Sequence, residues 1–432
     1  MLFLLVFSSI LILILLLSTY KLSGGFFTLP FLVMVYIVLL YIGSIHFFLE
    51  STHSTFIFVT GMGFCFLFGI FLADNNISGR LLNCRSHRIH IYNPFNKQII
   101  RIAVISAFMI ALSVSCYRFI VFGSPLIKGT IYGAGIEAVS GVTNKLIFVF
   151  GPPSLLLLSI FFYALYRAEQ DRIYIRFVAI SFLSYLVFML LRGGKSTAIM
   201  PFVLLFMLIH YSGYKIPKKV FLSGVVIGIT IATVIGGFRL RVFSVTDIAT
   251  LYYNRMTSIA SLHLDYVLTE WRMHNSFQYG GTLLLELKRI LAQISPIPKE
   301  PLYDQMISNM RRGFPISNMS GLSPEVTFFG MSYVNFGIVG ACFFTVLLGF
   351  FIQSIHKYLL VKPKMSFMFF SLTVFFMYHM LGGIIRRGNI IITIQTYLLY
   401  ILAPIIVIGI IYTVLYLPYS STIKGYKNPS DI

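Results

Sequence analysis

The 432-residue chain is 58% hydrophobic, has 11% charged residues and a mean hydropathy of +0.88, far from the roughly 25% charge of an ordinary soluble domain. A length that elsewhere makes several soluble domains therefore supplies membrane helices here. The net charge of +20 does not point to nucleic acid, because the bases lie in short runs between apolar stretches and not on one solvated face.

A bilayer span needs about 20 predominantly apolar residues. Such stretches fall at 2-20, 26-48, 54-73, 99-121, 144-166, 177-191, 197-211, 220-238, 328-352, 366-385 and 390-416. The expectation is an all-α polytopic membrane protein of eleven transmembrane helices. Eight spans fill 1-238, a large loop occupies 239-325, three spans follow over 326-417, and 418-432 form a tail. Residues 1-20 lack a basic leading segment and a small-residue cleavage site, so they read as a retained helix.

The connections alternate in charge. One set, from Lys21 through the 80-101, 167-176, 215-219 and 357-364 connections to Lys424 and Lys427, holds 17 Lys and Arg residues. The other holds seven, the long loop aside: Arg118, Lys128, Lys145, Arg192, Lys195, Arg386 and Arg387. Lys and Arg are retained on the cytoplasmic side of short loops, so the richer side is expected inside, with the N-terminus and the long loop outside.

The long loop carries nine bases and seven acids, as a folded cap would. Ile248, Leu251, Tyr252, Ile259, Leu262 and Tyr266 recur at helical spacing after Thr246 or Asp247 as N-cap. A second amphipathic helix fits Leu283, Leu284, Leu287, Ile290, Leu291 and Ile294. Both are expected on the membrane surface. Pro296, Pro298, Pro301, Pro315 and Pro324 are expected to break helical structure through the rest of the loop.

Several chemistries can be set aside. Gly193-Gly194-Lys195-Ser196-Thr197 looks like the tail of a phosphate-binding loop, but Met189 stands where the first glycine belongs and a membrane helix replaces the strand. Cys65, Cys84, Cys116 and Cys342 have no paired spacing, and His87 and His90 lack further ligands, so no metal or disulfide framework is expected.

The informative residues are cations on the disfavoured side. Arg192 and Lys195 sit where a helix leaves the membrane, Arg239 and Arg241 close the eighth span, and Arg386-Arg387 lies between the last two. Such cations snorkel, pair with loop acids, or bind an anion such as a lipid-linked diphosphate. Arg255 falls inside an apolar stripe and must be paired, snorkel, or face a polar cavity. Glu325, just before the ninth span, is placed to accept a proton from a sugar hydroxyl or to serve as a cap or ion-pair partner. His263 and His379 are read as packed side chains with a base role as the alternative.

In this layout Leu191-Arg192-Gly193-Gly194-Lys195, Gly237-Phe238-Arg239-Leu240-Arg241, and Ser323-Pro324-Glu325 followed by Ser332-Tyr333-Val334-Asn335-Phe336-Gly337-Ile338-Val339-Gly340 stand out. The chain resembles the oligosaccharide repeat unit polymerases, the Wzy-type O-antigen polymerase family of bacterial polysaccharide assembly. The resemblance implies an inner-membrane glycosyltransferase that passes a growing glycan from undecaprenyl diphosphate to a newly arrived undecaprenyl-diphosphate-linked repeat unit at the periplasmic face. It implies no nucleotide sugar, cofactor or metal, with membrane lipids and a chain-length regulator as partners and no nucleic acid. Arg192, Lys195, Arg239, Arg241, Arg255 and Arg386 then hold the diphosphate or the transition state. Glu325 acts as base or orients the acceptor, and Tyr333 and Asn335 contact sugar. The alternatives are an O-antigen ligase and a lipid-linked oligosaccharide flippase or other transporter.

Overall fold

The computed structural model describes residues 2–49, 53–78, 89–123, 150–192, 196–213, 259–271, 276–292, 300–311, 326–362 and 364–425, with a few single positions between 219 and 246. The chain is an all-α membrane protein, with seven helices among the described residues long and apolar enough to cross a bilayer. Leu29–Ile45 and Met200–Tyr211 are shorter apolar helices. The expected span at 220-238 lies largely outside the described residues.

In chain order the long elements are α1 (Leu2–Ser23), α2 (Leu29–Leu49), α3 (His53–Ser78), β1 (His90–Tyr92), α4 (Lys97–Phe122), α5 (Pro152–Glu169), α6 (Arg172–Arg192) and α7 (Ser196–Tyr211). The loop contributes α8 (Ile259–Tyr266), α9 (Gly281–Leu291) and α10 (Tyr303–Arg311). Then come α11 (Thr327–Val361), β2 (Lys364–Ser366), α12 (Phe367–His379) and α13 (Ile390–Gly425).

The most extensive helix pair is α3 with α11, which run in the same direction. They approach closely because Gly69 and Gly349 stand at the crossing. A Cβ on Gly69 would lie 2.1 Å from the Val346 carbonyl oxygen, and one on Gly349 2.3 Å from that of Phe66. Lipid does not drive helices together as water does, so small residues that admit backbone contact do much of the packing. Helix α5 is buried along Pro152–Leu165 and packs on α4, α6, α12 and α13, as a helix apolar all round must.

Polar contacts tie together the helix ends of the charge-rich connections. Asp74 at the end of α3 pairs with Lys357 of α11. Lys97 lies 3.6 Å from Glu169, and Arg101 lies 3.6 Å from Asp171. The parallel β1–β2 ladder joins His90–Tyr92 to Lys364–Ser366 with Ile91 and Met365 buried. This ladder adds a feature that apolar periodicity does not signal.

The loop departs from expectation in three ways. Helix α8 lies inside the protein and not on its surface: Ala260, Ser261, His263, Leu264 and Val267 are all fully buried against α2, α3 and α11. Its most buried residues are Ala260, Ser261, His263 and Leu264, followed by Val267 and Trp271 in the next turn, while the expected Leu262 and Tyr266 are half-buried; Ile248, Leu251 and Tyr252 lie outside the described residues, as does the Ile259 side chain. Helix α10 forms despite the prolines, because Pro301 precedes its first turn and Gln305 Oε1 accepts the Leu302 N–H at 3.0 Å. Helix α9 does turn Leu284, Leu287 and Leu291 outward, as an amphipathic surface helix would.

The ninth span is longer than expected and broken. Gly337 has φ 67° and ψ −164°, a conformation that a side chain resists. The break frees the Val334 and Asn335 carbonyls, which accept instead from the loop N–H groups of Gln278 (3.0 Å) and Tyr279 (2.9 Å). The loop thus replaces the hydrogen bonds that the helix gives up.

Candidate functional site

The expected site residues divide sharply. Arg239, Arg241, Arg255, Lys195 and Glu325 lie outside the described residues. Arg192 ends α6, and its side chain is outside the described ones as well. Tyr333, Asn335 and Arg386 can be placed.

Asn335 is buried, and both of its amide groups are engaged by the chain itself. Its Oδ1 accepts from the N–H groups of Gly280 (3.1 Å) and Thr282 (3.4 Å), while Nδ2 donates to Thr282 Oγ1 (2.6 Å) and to the Met331 carbonyl (3.0 Å). It is the clamp that seats the start of α9 on α11. Tyr333 is buried between the rings of Phe58 and Phe277. Gln278, at the same joint, accepts the Tyr303 hydroxyl at 2.5 Å. Burial, then the charge of Glu300, pushes that phenol above its ordinary range and keeps it a neutral donor.

Arg386 stands elsewhere. It follows a π-helical turn, Met380–Ile385, that widens the end of α12. Its guanidinium acts on the Tyr378 phenol, which is hydrogen-bonded to Tyr185 of α6. Tyr400 of α13 interacts electrostatically with both phenols and with the Arg118 guanidinium from the end of α4. Arg118 also lies 5.9 Å from the centre of the Phe119 ring. Gly383 admits α13 closely, for a Cβ there would fall 2.3 Å from Thr393 Oγ1. Two guanidiniums and three phenols from α4, α6, α12 and α13 are thus linked electrostatically among apolar helices.

His379 lies in the same cluster. Its ring centre is 4.4 Å from Phe375, 5.3 Å from Tyr378, 5.9 Å from Tyr397 and 5.7 Å from Tyr400. Nδ1 lies 3.1 Å from the Phe375 carbonyl oxygen. A carbonyl only accepts, so Nδ1 carries the proton and Nε2 presents its lone pair. His263 is different, being fully enclosed in α8.

The cluster is at the far end of α4, α6 and α12 from the β1–β2 ladder and its ion pairs. At that end Glu286 of α9, 2% exposed, accepts from the N–H groups of Ile390 (3.3 Å) and Ile392 (3.0 Å) at the start of α13. Thr55 Oγ1 donates to Asp265 at 2.6 Å, and Ser261 Oγ donates to the Leu40 carbonyl at 2.9 Å. The loop is thereby fastened to α2, α3, α11 and α13 beside the cluster.

Arg118, Tyr185, Tyr378 and Tyr400 escape a reading of the sequence as site residues. Arg118 reads as one of the seven bases on the poorer side, and the three tyrosines carry no signal of their own in the sequence. Only the placement of four helices brings them together. Guanidiniums bind phosphate oxygens in pairs of parallel hydrogen bonds and phenols add neutral donors, so the arrangement suits a phosphate-bearing anion. Among the described residues no three His, Cys, Asp or Glu side chains converge. No protein-family model, no curated protein and no solved structure matches the chain.

Proposed function

We propose that the chain is a polymerase of lipid-linked oligosaccharide repeat units, transferring a growing glycan from undecaprenyl diphosphate to an incoming undecaprenyl-diphosphate-linked unit. The observation that carries this reading is the Arg118–Arg386–tyrosine cluster, set between apolar helices at the end of the bundle that receives the long loop. A lipid diphosphate approaches along the bilayer, and cations already in place stabilise its charge as the glycosyl bond breaks.

In this reading the end with the Lys357–Asp74, Lys97–Glu169 and Arg101–Asp171 pairs is cytoplasmic, following the basic residues of its connections. The chain has eleven spans in the inner membrane, and loop 239-325 is periplasmic. The outward leucines of α9 rest in the outer leaflet. Arg192, Lys195, Arg239, Arg241 and Arg255 extend the cationic site, and Glu325 orients the acceptor. Asn335 holds the loop.

A flippase stays as the second reading for one reason. Cations between helices, such as Arg118 beside Tyr400, also suit a path through the bundle. A gel of surface polysaccharide from cells lacking the gene separates the readings. Polymerase loss leaves a single attached repeat, restored to a ladder by a plasmid copy. Long unattached chains would indicate a ligase, and absence of even one repeat a flippase.

A further inference from the structure

We infer that His379 is the general base of the transfer, its Nε2 taking the proton of the attacking sugar hydroxyl. This rests on the polymerase reading above and gives a role to a side chain that the sequence leaves among packed histidines.

Four observations carry it. First, the tautomer is fixed: Nδ1–H donates to the Phe375 carbonyl, so the free lone pair is on Nε2. Second, the His379 side chain is half-buried and not sealed within the bundle, and Nε2 has no hydrogen bond among the described residues. Third, the ring is gripped by Phe375, Tyr378, Tyr397 and Tyr400, which hold its orientation. Fourth, it immediately precedes the π-helical turn Met380–Ile385. Such turns cost regular hydrogen bonds and concentrate at functional sites.

The surroundings fit the chemistry. The phenols of Tyr378 on its own helix and Tyr397 and Tyr400 on α13 face the imidazole. Tyr185 of α6 is hydrogen-bonded to Tyr378, the charge of Arg386 acts on Tyr378, and Arg118 interacts electrostatically with Tyr400. No carboxylate among the described residues touches the ring. The base therefore packs on the two tyrosines with which the guanidiniums proposed to hold the diphosphate interact electrostatically.

The step balances within that site. The acceptor hydroxyl gives its proton to Nε2 as its oxygen bonds to the anomeric carbon. The bond from that carbon to the diphosphate oxygen breaks, and its electron pair leaves on the lipid diphosphate facing Arg118 and Arg386.

The test uses the full-length protein in liposomes with lipid-linked repeat units and reads polymer formed per unit time from pH 5 to 9. The His379→Asn change keeps an N–H near Nδ1 for the Phe375 carbonyl and removes the base. A general base contributes about a hundredfold or more, so His379→Asn should lower the rate by at least that factor. Where the wild-type rate falls in acid as the imidazole is protonated, the variant's residual rate should lose that limb. Glu325→Gln should keep it.

A His379→Asn rate within about threefold of wild type, or an acid limb surviving in it, overturns the assignment and leaves the polymerase reading standing. A His379→Gln variant that polymerises within about threefold of wild type does so as well, which covers an Asn variant that fails to fold. Wild-type protein that makes no polymer overturns the polymerase reading, and the base with it.

Discussion

Replacing Glu286 by Ala removes the carboxylate that accepts from the N–H groups of Ile390 and Ile392 in the first turn of α13. The site is 2% exposed, so water does not readily take its place. Losing an N-terminal cap costs about 0.5–2 kcal/mol. Each buried donor left without a partner costs about 1–3 kcal/mol, and a partly buried carboxylate gains up to about 2 kcal/mol from the positive helix end. These contributions overlap, so the expected loss is about 3 kcal/mol for Ala. Gln keeps one acceptor oxygen and loses the charge, for about 1 kcal/mol. Trp271, the only tryptophan of the chain, is buried in the neighbouring loop structure and reports unfolding in mixed micelles by its fluorescence. Two results would refute the capping argument: Ala within about 0.5 kcal/mol of wild type, or Ala and Gln equal.

Cys65 and Cys342 meet thiol to thiol across α3 and α11. A membrane-permeant oxidant should join them, seen as lost maleimide labelling that dithiothreitol restores, and Cys342→Ser should abolish the effect. Gly349→Val places a Cβ 2.3 Å from the Phe66 carbonyl oxygen, a backbone atom with nowhere to go. Overpacking of that kind costs about 1–3 kcal/mol or more and should suppress the Cys65–Cys342 cross-link. Asn335→Leu breaks the four bonds that seat α9, so limited proteolysis should cut within 276–292 at least tenfold faster than in wild type.

The hydrophobic frame is legible because a bilayer imposes one rule on composition: an apolar segment of sufficient length becomes a helix. The expectation at 390-416 therefore meets α13 and that at 99-121 meets α4. Apolar length does not say which face of a helix meets protein. In α8, Ser261 and His263 look polar in sequence, yet both are buried in the bundle. Nor does it report paired termini, so neither the β1–β2 ladder nor the Glu286 cap is visible before the chain is folded. Proline was overvalued as a breaker around α10, since Pro301 stands just ahead of the first turn, where the missing N–H costs nothing. The outer cations were legible one at a time. Their chemistry depends on Arg118 and Arg386 reaching the tyrosines of two further helices, and no spacing within a single helix encodes that.

The two ends of the bundle are built by different means. One is closed by ion pairs and a short strand ladder, which leave the helices regular. At the other the backbone departs from the α-helix repeatedly: α11 breaks at Gly337, α12 widens over Met380–Ile385, and α8 runs on into a π-helical turn at Val267–Trp271. Each departure gives up hydrogen bonds that hydrocarbon cannot replace. The chain meets part of that cost with its own loop, through Gln278 and Tyr279 at the Gly337 break and Glu286 at the start of α13. Helices that only had to cross a membrane would gain nothing from such repairs. The Met380–Ile385 turn, set directly between His379 and Arg386, is the departure that a site holding polar groups at fixed positions inside an apolar surround would need. On the proposed function, Gly337→Ala, strained at φ 67°, should lower polymer formation even where the protein still inserts. The reason is that the Phe277 ring, 2.8 Å from the added Cβ, would be pushed away together with the loop segment that it begins.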